Sequence, residues 1–569
     1  MAPALASRDL LLFDQRGTGS SDPLSCSALE EATPASNVAS VFEQCALDIG
    51  PARADFTTQE SVQDIEALRK AAGYEKLVLF GTSYGTKVAL EYAERYPQHV
   101  ESLVLDSVVP ADGEEPLGVA SFQAIGPVLA ELCSQGTCKG ITANPLADIA
   151  QLGAQLARRP LSGYAYDGSG RRHRTSLTEV GLLGILEAGD LNPAVRALLP
   201  AAVRSALTKD PYPLLRLSLL AQGLIPSTPE TAAIAEAPSI DEALFATTAC
   251  EETPFPWNRA APAATRMQEA LAALAAEPAG TFYPFNTNTA LNFGLIPDCS
   301  HWPDASPAPP PTSALPNVPT LILSGAQDLR TPAANARHVA ATIPDAQVVV
   351  VPFTGHSVLG SDLSGCAARA VASFFAGAAA QACPPTVDKY APTPVTPTKL
   401  TSIHPPPGLS GRAGQTLVAV LDTIIDLNRQ VIGATIQADQ ELPVGSSFGG
   451  LRGGYARLAS SAVILRRYSF IPGVELTATF QVRHGELQPT TIHVSGGEAA
   501  QGTVRLGAPF QRVTGTLGGR QFSVNVATAK LSSASTAGHG WPTLATVLPR
   551  LHDREAQPRP RPGGLPQLP

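Results

Sequence analysis

The amino-acid sequence predicts an α/β fold, in which a parallel sheet carries a helical cap insertion and is followed by a small all-β module. Residues 1–110 and 303–383 alternate short apolar runs with helical stretches, the pattern of a parallel sheet covered on both faces. Residues 111–302 are rich in Ala and Leu at helical spacing, whereas 409–535 consist of β-like runs separated by Gly-rich turns. A chain of 569 residues is expected to form more than one domain.

The first core segment contains three predicted strands. Leu10–Asp14 is a compact apolar run that ends in a Gly-rich turn, and the runs "KLVLFG" and "ESLVLDSV" follow it. The stretch "TTQESVQDIEALRKAAG" has its apolar residues on one helical face and Gly73 at its end. "YGTKVALEYAERYP" is a predicted helix that Pro97 terminates.

After the Pro-rich stretch 303–316, the sequence again alternates predicted strands and helices. "PTLILSG" and "AQVVVVP" are predicted strands, and a helix follows each of them. A second Pro-rich tract, 384–408, is predicted to be a semi-rigid linker. One helix, "GQTLVAVLDTIIDLNRQVIG", opens the β-module, and the tail 536–569 is predicted to be disordered.

Composition excludes some classes of partner. Charged residues make up 16% of the chain and the net charge is −9, which argues against nucleic acid or an anionic membrane as the main partner. No run of 18 or more apolar residues predicts a membrane span, and the N-terminus shows no signal peptide.

The eight cysteines favour an oxidising compartment. Their number is even and no two have CxxC spacing, so we expect no metal site. Pairing of sequence neighbours would give four bridges, for example Cys133–Cys138, but other connectivities and unpaired buried thiols stay open.

One serine stands between two glycines where a predicted strand meets a predicted helix, in "GTSYG". Such a turn holds a nucleophile in a strained conformation, and side chains at Gly81 and Gly85 are expected to collide with neighbouring elements. Ser83 is therefore the candidate nucleophile. The backbone N–H of Tyr84 is the candidate donor to an oxyanion at the start of the helix.

A serine nucleophile needs a base and an orienting carboxylate, which in this architecture follow it in the order acid, then histidine. Asp328 comes just after one predicted strand, and His356 follows the next in a Gly-flanked loop. Asp106, which also ends a strand, is a rival for the acid, although a structural role is favoured for it. Simpler interpretations are a turn-forming Asp328 and a solvated His356.

Several motifs together resemble the α/β-hydrolase family of prolyl aminopeptidases and secreted tripeptidyl aminopeptidases: "FDQRGTGSSDPL", "GTSYGTKVALEYAERYP", "LDSVVP", "LILSGAQDLRTP" and "GHSVL". Residues from about 290 to 383 resemble that family's TAP-like region. The resemblance implies Ser83 as nucleophile, Asp328 as acid and His356 as base. It implies cleavage of short peptides from a free N-terminus, or of related amides and esters, without a metal or organic cofactor.

The resemblance also suggests roles outside the triad. Asp14, Arg16 and the glycines of "DQRGTG" match a family loop that we interpret as structural, held by an arginine–carboxylate pair. Glu251 and Glu252 in "ACEETPFPW" are candidates to bind the substrate ammonium, and two solvated glutamates are the simpler alternative. The full-length protein is expected to be extracellular or attached to the cell envelope.

Family members carry an "HGGPG"-like motif that precedes the "DQRG" loop and supplies a second oxyanion donor, and no HGG occurs in this sequence. Either the start of the chain is assigned too late or the gene is a degenerate copy; the first is favoured. We expect an open slot beside the Leu10–Asp14 strand and poor activity or stability of this polypeptide.

Three functions stay open at this stage: a serine exopeptidase, an esterase or lipase-like hydrolase, and a non-catalytic binding protein in which the β-module is the working part. The β-module could dock on the hydrolase, contact cell wall or polysaccharide, or act as a spacer. Its His484 and His493 are expected to point to a sheet face.

Overall fold

The computed structural model describes residues 8–32, 36–113, 115–223, 241–303, 314–437, 442–483, 486–507 and 512–525. The helices in these ranges are α1 (Ser27–Glu30), α2 (Val38–Ile49), α3 (Thr58–Ala71), α4 (Tyr84–Arg95), α5 (Val119–Leu132), α6 (Pro145–Leu156), α7 (Glu179–Leu191), α8 (Pro193–Leu207), α9 (Tyr212–Ala221), α10 (Glu242–Glu252), α11 (Ala263–Ala276), α12 (Thr287–Leu291), α13 (Leu295–Cys299), α14 (Ala333–Ala340), α15 (Val358–Ser361), α16 (Cys366–Phe375) and α17 (Gly411–Gln437).

The strands are β1 (Leu77–Thr82), β2 (Val100–Asp106), β3 (Leu161–Tyr166), β4 (Arg172–Leu177), β5 (Thr320–Gly325), β6 (Ala346–Val351), β7 (Ser447–Gly449), β8 (Gly453–Ala459), β9 (Ala462–Ser469), β10 (Glu475–Arg483), β11 (Glu486–Leu487), β12 (Thr490–Ser495), β13 (Gly502–Leu506), β14 (Arg512–Leu517) and β15 (Arg520–Asn525). His493 lies in β12, and the prediction for His484 falls outside the described residues.

The core sheet is parallel, as predicted, in the order β1-β2-β5-β6. β2 and β5 are buried along nearly their whole length, which explains their continuous apolar sequences. One apolar cluster joins the sheet to α3, α4 and α14, and another joins it to α16. Because all four strands are parallel, their carboxyl ends meet at one edge, where the candidate catalytic residues follow them.

The predicted strand at Leu10–Asp14 is wrong, because this segment pairs with no strand in the described structure. Leu12 is 79% exposed and the neighbouring apolar side chains are also exposed. An apolar run becomes a strand only where a neighbouring backbone accepts and donates its hydrogen bonds. The predicted slot beside a Leu10–Asp14 strand is therefore also wrong, because that strand does not form. β1 has no strand on its outer side among the described residues, and Phe80 on β1 is exposed.

The insertion between β2 and β5 is mainly helical, but it contains an antiparallel hairpin that the sequence analysis did not predict. β3 pairs with β4 from Leu161↔Leu177 to Tyr166↔Arg172. The second strand, "RHRTSL", is charged and mostly exposed, so it lacks the apolar alternation on which strand prediction depends.

The C-terminal module is an antiparallel sheet preceded by the long helix α17, in agreement with the predicted β-rich module and its one helix. Its strand order is β15-β14-β13-β12-β10-β9-β8-β7, and β11 pairs with β10. Buried residues of the cap and of this module belong to one apolar cluster, so the two regions share a hydrophobic core. Contact of the module with polysaccharide stays a prediction. The predicted disordered tail, 536–569, lies outside the described residues.

The Pro-rich tract 384–408 differs from the predicted linker. The Thr393 N–H donates to the Ala197 carbonyl at 3.0 Å, and the Lys389 Nζ donates to the Leu363 carbonyl at 2.5 Å. Leu400 is buried in the shared core. The tract is thus a strap that contacts the cap through Thr393, the C-terminal part of the core through Lys389, and the shared apolar core through Leu400.

Four disulfides join cysteines that are neighbours in the sequence, as the simplest pairing predicts: Cys26–Cys45, Cys133–Cys138, Cys250–Cys299 and Cys366–Cys383. Their Cα atoms are 4.9 to 5.6 Å apart, within the usual range for a disulfide. The third bridge ties α10 to α13 within the cap.

Candidate active site

Ser83 occupies the sharp turn between β1 and α4, where its backbone has φ 54° and ψ −125°. A non-glycine residue in this conformation is strained by on the order of 1–3 kcal/mol, so the surrounding contacts must hold it there. The Ser83 N–H donates to the Asp106 carbonyl at 2.9 Å, and the Ser83 carbonyl accepts the Thr86 N–H at 2.9 Å. These contacts fix the strand-to-helix turn, which matches the predicted nucleophile position.

The two glycines of "GTSYG" differ in whether the structure has room for a side chain at their positions. A Cβ on Gly81 would lie 2.3 Å from the Gly85 carbonyl oxygen, so the steric prediction is confirmed there. A Cβ on Gly85 would meet no atom within 4 Å, so the predicted collision at Gly85 is wrong for the described structure. Gly81 is required because the helix backbone passes directly over the end of β1.

His356 and Asp328 lie in the loops after β6 and β5, and their side chains are paired. His356 Nδ1 is 3.0 Å from Asp328 Oδ2, and both residues are buried. The Asp328 carboxylate also accepts the Thr331 N–H at 2.9 Å and the Thr331 hydroxyl at 2.7 Å. With the proton of the ring on Nδ1, Nε2 is left as the basic nitrogen.

The structure brings the acid and the base together and places Ser83 at the same edge of the sheet. Among the described residues it records no hydrogen bond between the Ser83 hydroxyl and the His356 ring. Tyr84 is the first residue of α4, so its N–H has no acceptor within the helix and lies beside Ser83 at the positive end of the helix dipole.

Asp106, the rival carboxylate, caps the short helix that follows His356. Its two carboxylate oxygens accept the N–H groups of Val358 at 2.7 Å and Leu359 at 2.8 Å. Burial raises the pKa of Asp106. Asp106 therefore positions the histidine loop from the end of β2.

Asp190, on the last turn of α7, joins the acid loop to the histidine loop and was not predicted. Its Oδ2 accepts the N–H groups of Leu329 at 2.8 Å and Arg330 at 3.0 Å, and its carbonyl accepts the His356 N–H at 3.0 Å. Burial, and next the charge of Asp328, raise its pKa well above the usual range. An aspartate at a helix C-terminus, where the dipole disfavours it, was the one available sequence signal.

The two candidate ammonium ligands have different environments. Glu251 has no exposed side-chain surface, and its Oε1 accepts from Arg53 Nε at 2.9 Å and from the Trp302 indole at 2.8 Å. The structure therefore does not present Glu251 to a substrate, because the whole side chain is enclosed by its neighbours. This is a correction to the sequence expectation.

Glu252 is linked by hydrogen bonds to the residue that follows the candidate nucleophile, and its side chain is also largely buried. Its carboxylate pairs with Lys87 of α4 and accepts from the Thr58 N–H at 2.5 Å and the Thr58 hydroxyl at 2.7 Å. The Thr58 and Tyr84 hydroxyls are 2.8 Å apart. Burial, and next the charge of Glu252, raise the pKa of the Tyr84 phenol. Glu252 is thus connected through Thr58 to the residue that follows Ser83.

The "DQRGTG" loop is held as predicted by an arginine–carboxylate pair. Arg16 Nε and Nη2 each donate to Asp64 at 2.7 Å, a bidentate arrangement. Gly19 has φ +48°, and a Cβ there would lie 2.5 Å from the Asp14 side chain.

Within the described residues, no group of three or more His, Cys, Asp or Glu side chains could hold a metal ion. Among the helices of the same residues, none combines the length and the apolar character that a membrane span requires.

Two family models match the chain. The model of the alpha/beta hydrolase fold matches residues 1–177, and that of the TAP-like protein matches residues 283–384. Together they include Ser83, Asp328 and His356.

Curated relatives match over shorter stretches. Tripeptidyl aminopeptidase of Streptomyces lividans is 32% identical over 118 residues, 18% of this chain and 22% of that protein. Proline iminopeptidase of Neisseria gonorrhoeae is 30% identical over 99 residues, 17% and 24% of the two chains. Serine protease Hip1 of Mycobacterium tuberculosis strain H37Rv is 38% identical over 69 residues, 12% and 13%. The matched stretches span less than a quarter of each relative.

A solved structure, the alpha/beta hydrolase enzyme MGS-M2 from a deep-sea metagenome library, is 15% identical with a TM-score of 0.23, covering 58% of this chain and 74% of that one. The family models, the parallel core sheet and the serine at its strand-to-helix turn agree with one another. The fold is that of an α/β-hydrolase, and the matches over residues 1–177 and 283–384, with the peptidase relatives, support an S33-type hydrolase with a TAP-like region.

Proposed function

We propose that this chain is a serine hydrolase that cleaves short peptides from a free N-terminus, with Ser83, His356 and Asp328 as its triad. The observation that carries the proposal is the strained Ser83 backbone, at the same sheet edge as the paired His356 and Asp328 side chains. The TAP-like match and the peptidase relatives favour a peptide over other acyl substrates.

In the proposed mechanism the Ser83 hydroxyl attacks the carbonyl of the scissile bond and His356 Nε2 takes its proton. Asp328 keeps the proton of the ring on Nδ1 and stabilises the imidazolium. The Tyr84 N–H donates to the oxyanion, and His356 then protonates the leaving amine, so that an acyl-enzyme forms on Ser83. The serine–histidine contact is expected to tighten when substrate binds, as catalytic hydrogen bonds often do.

Glu252 is proposed to bind the substrate ammonium, and Glu251 is assigned a structural role. Glu252 is the last residue of the cap helix α10, and its carboxylate is linked to Tyr84 through Thr58. An ammonium group would have to share this carboxylate with Lys87. Glu252→Gln is expected to raise KM for free-amine peptides; an unchanged KM would remove Glu252 from the site.

The proposed site of action is outside the cytoplasm. The four disulfides and the relationship to tripeptidyl aminopeptidases support this placement. Detection of oxidised, unreactive cysteines in protein recovered from the native host would test it, and eight free thiols would contradict it.

The experiment that tests the function compares kcat/KM on three substrates: an Ala-Pro-Ala amide with a free amine, the same amide with an acetylated amine, and a p-nitrophenyl ester. We expect turnover of the free-amine amide, a large loss on acetylation, and no turnover by Ser83→Ala. Turnover of the ester alone would indicate an esterase. Absence of all turnover by the folded chain would indicate a non-catalytic protein.

A further inference from the structure

A cleft lies where the cap meets the C-terminal module. Its walls come from α8, α9, residues 393–397 of the strap, α17 and Phe470, and it is partly open to solvent, with a cavity volume of about 50 Å³. None of the candidate catalytic residues lines it. The cleft is therefore separate from the site at the edge of the core sheet, and its interpretation does not depend on the proposed function.

Most of the wall of this cleft is apolar. The apolar side chains that line it come from five separate segments of the chain: Leu198, Leu217, Leu220, Val395, Ile425 and Phe470. Such a wall favours a ligand with an apolar body, because burying that body removes it from water.

One of the two arginines in the cleft is fully paired. Arg216 donates to Asp426 through two nitrogens, at 2.9 and 2.5 Å. The Tyr468 hydroxyl donates to the same carboxylate at 3.0 Å, and Gln430 bonds to that hydroxyl. The Asp426 carboxylate is thus committed to the contact between cap and module.

The other arginine, Arg429, has no such partner. Within the described part of the chain, no hydrogen bond or ion pair reaches its guanidinium, and its nitrogens are not among the polar atoms sealed from solvent. Burial lowers its pKa, and the charges of Asp426 and Asp422 offset part of this effect from a distance. A guanidinium has five N–H donors in a planar fork that fits a carboxylate.

We propose that the cleft binds a carboxylate attached to an apolar chain, with Arg429 holding the carboxylate and the apolar wall holding the chain. A bidentate contact would satisfy donors that the described residues leave open. Two kinds of molecule share this chemistry: an aliphatic acid and the C-terminal end of an apolar peptide.

Isothermal titration of the full chain tests the proposal with four probes. Hexanoate and N-acetyl-Ala-Leu represent the two sources of the carboxylate, hexanamide keeps the chain without the charge, and acetate keeps the charge without the chain. We expect at least one of the two long acids to bind at least about tenfold more tightly than hexanamide, and acetate not to bind below about 20 mM. Which of the two acids binds more tightly identifies the source.

Two variants link binding to the cleft. Arg429→Gln is expected to reduce the affinity for the acid to that for hexanamide. Val395→Trp places a large side chain of the strap in the cleft and should weaken the binding of both the acid and hexanamide. Equal affinities of acid and amide for the wild-type chain, or no saturable binding of either acid, would overturn the proposal. So would an Arg429→Gln variant that unfolds at the wild-type temperature and still prefers the acid.

Discussion

The catalytic core and the cap–module half of this molecule are held together in different ways. The core is a sheet of four described strands with one small apolar cluster on each face and an outer strand, β1, that pairs on one side only. The cap and the β-module share a single large cluster, although Arg216 of the cap and its partner Asp426 on α17 lie 210 residues apart in sequence. The candidate catalytic residues therefore lie in short motifs at strand ends, whereas the packing of cap against module depends on contacts between residues far apart in sequence.

The largest effect is expected where cap and module meet. Asp426→Ala leaves Arg216 buried without its partner, which should lower the free energy of unfolding by about 3–5 kcal/mol. Arg467→Ala is the control, because its pair with Glu475 lies on the module surface and should contribute much less. Urea unfolding measures both losses, and equal losses would show that the Arg216–Asp426 pair contributes no more than an exposed pair.

The stability of the core is expected to depend on pH through the buried carboxyl of Glu66. The Arg69 guanidinium lowers the pKa of this buried carboxyl from its usual 4.5 to about 2, despite burial. Its folded pKa lies below its unfolded one, so its stabilisation is fully present above pH 4.5 and is lost as the pH falls toward 2.

Glu66→Gln should therefore cost up to about 3 kcal/mol at pH 7 and less at low pH. Unfolding curves of wild type and variant between pH 2 and pH 7 measure the difference. A difference that is independent of pH would contradict this account of Glu66.

The two glycines of the nucleophile turn allow a matched comparison. Gly81→Ala forces a Cβ against the Gly85 carbonyl and should destabilise the core by about 1–3 kcal/mol. Gly85→Ala meets open space and should cost less than about 1 kcal/mol. Thermal unfolding of the two variants tests the contrast, and a larger loss for Gly85→Ala would contradict it.

The smallest expected effect concerns Asp190, through which the cap reaches the catalytic loops. Asp190→Ala should lower kcat by about tenfold with little change in KM, because the acid loop loses its side-chain anchor while the backbone contact with His356 remains. Asp190→Asn keeps an acceptor oxygen and should retain most activity. Faster exchange of the Leu329 and Arg330 amides in the alanine variant alone would support a positioning role; equal kinetics of both variants would not.

Sequence reasoning succeeded where the signal was local. β1, β2, β5 and β6 are short apolar runs, and the serine turn is marked by glycine at position 81. It failed where a partner decides the structure: Leu10–Asp14 has a strand-like sequence without a neighbouring strand, and β4 is a charged strand that exists because β3 pairs with it.

The residues of the candidate site were also predictable where their signal was local and not where it depended on a distant partner. Ser83, Asp328 and His356 each follow a strand, so their positions could be inferred from the local pattern. Asp190 acts on a loop 139 residues later, and Arg216 meets Asp426 across 210 residues. No local pattern in one sequence encodes contacts over such distances, so these residues emerge only from the fold.

The most direct measurement of the central claim is labelling with a fluorophosphonate, followed by mass spectrometry of the modified peptide. We expect a single adduct on Ser83, its loss in Ser83→Ala, and labelling slowed by at least about a hundredfold in His356→Ala. An adduct at another residue, or labelling of Ser83 at an unchanged rate without His356, would contradict the assignment of the triad.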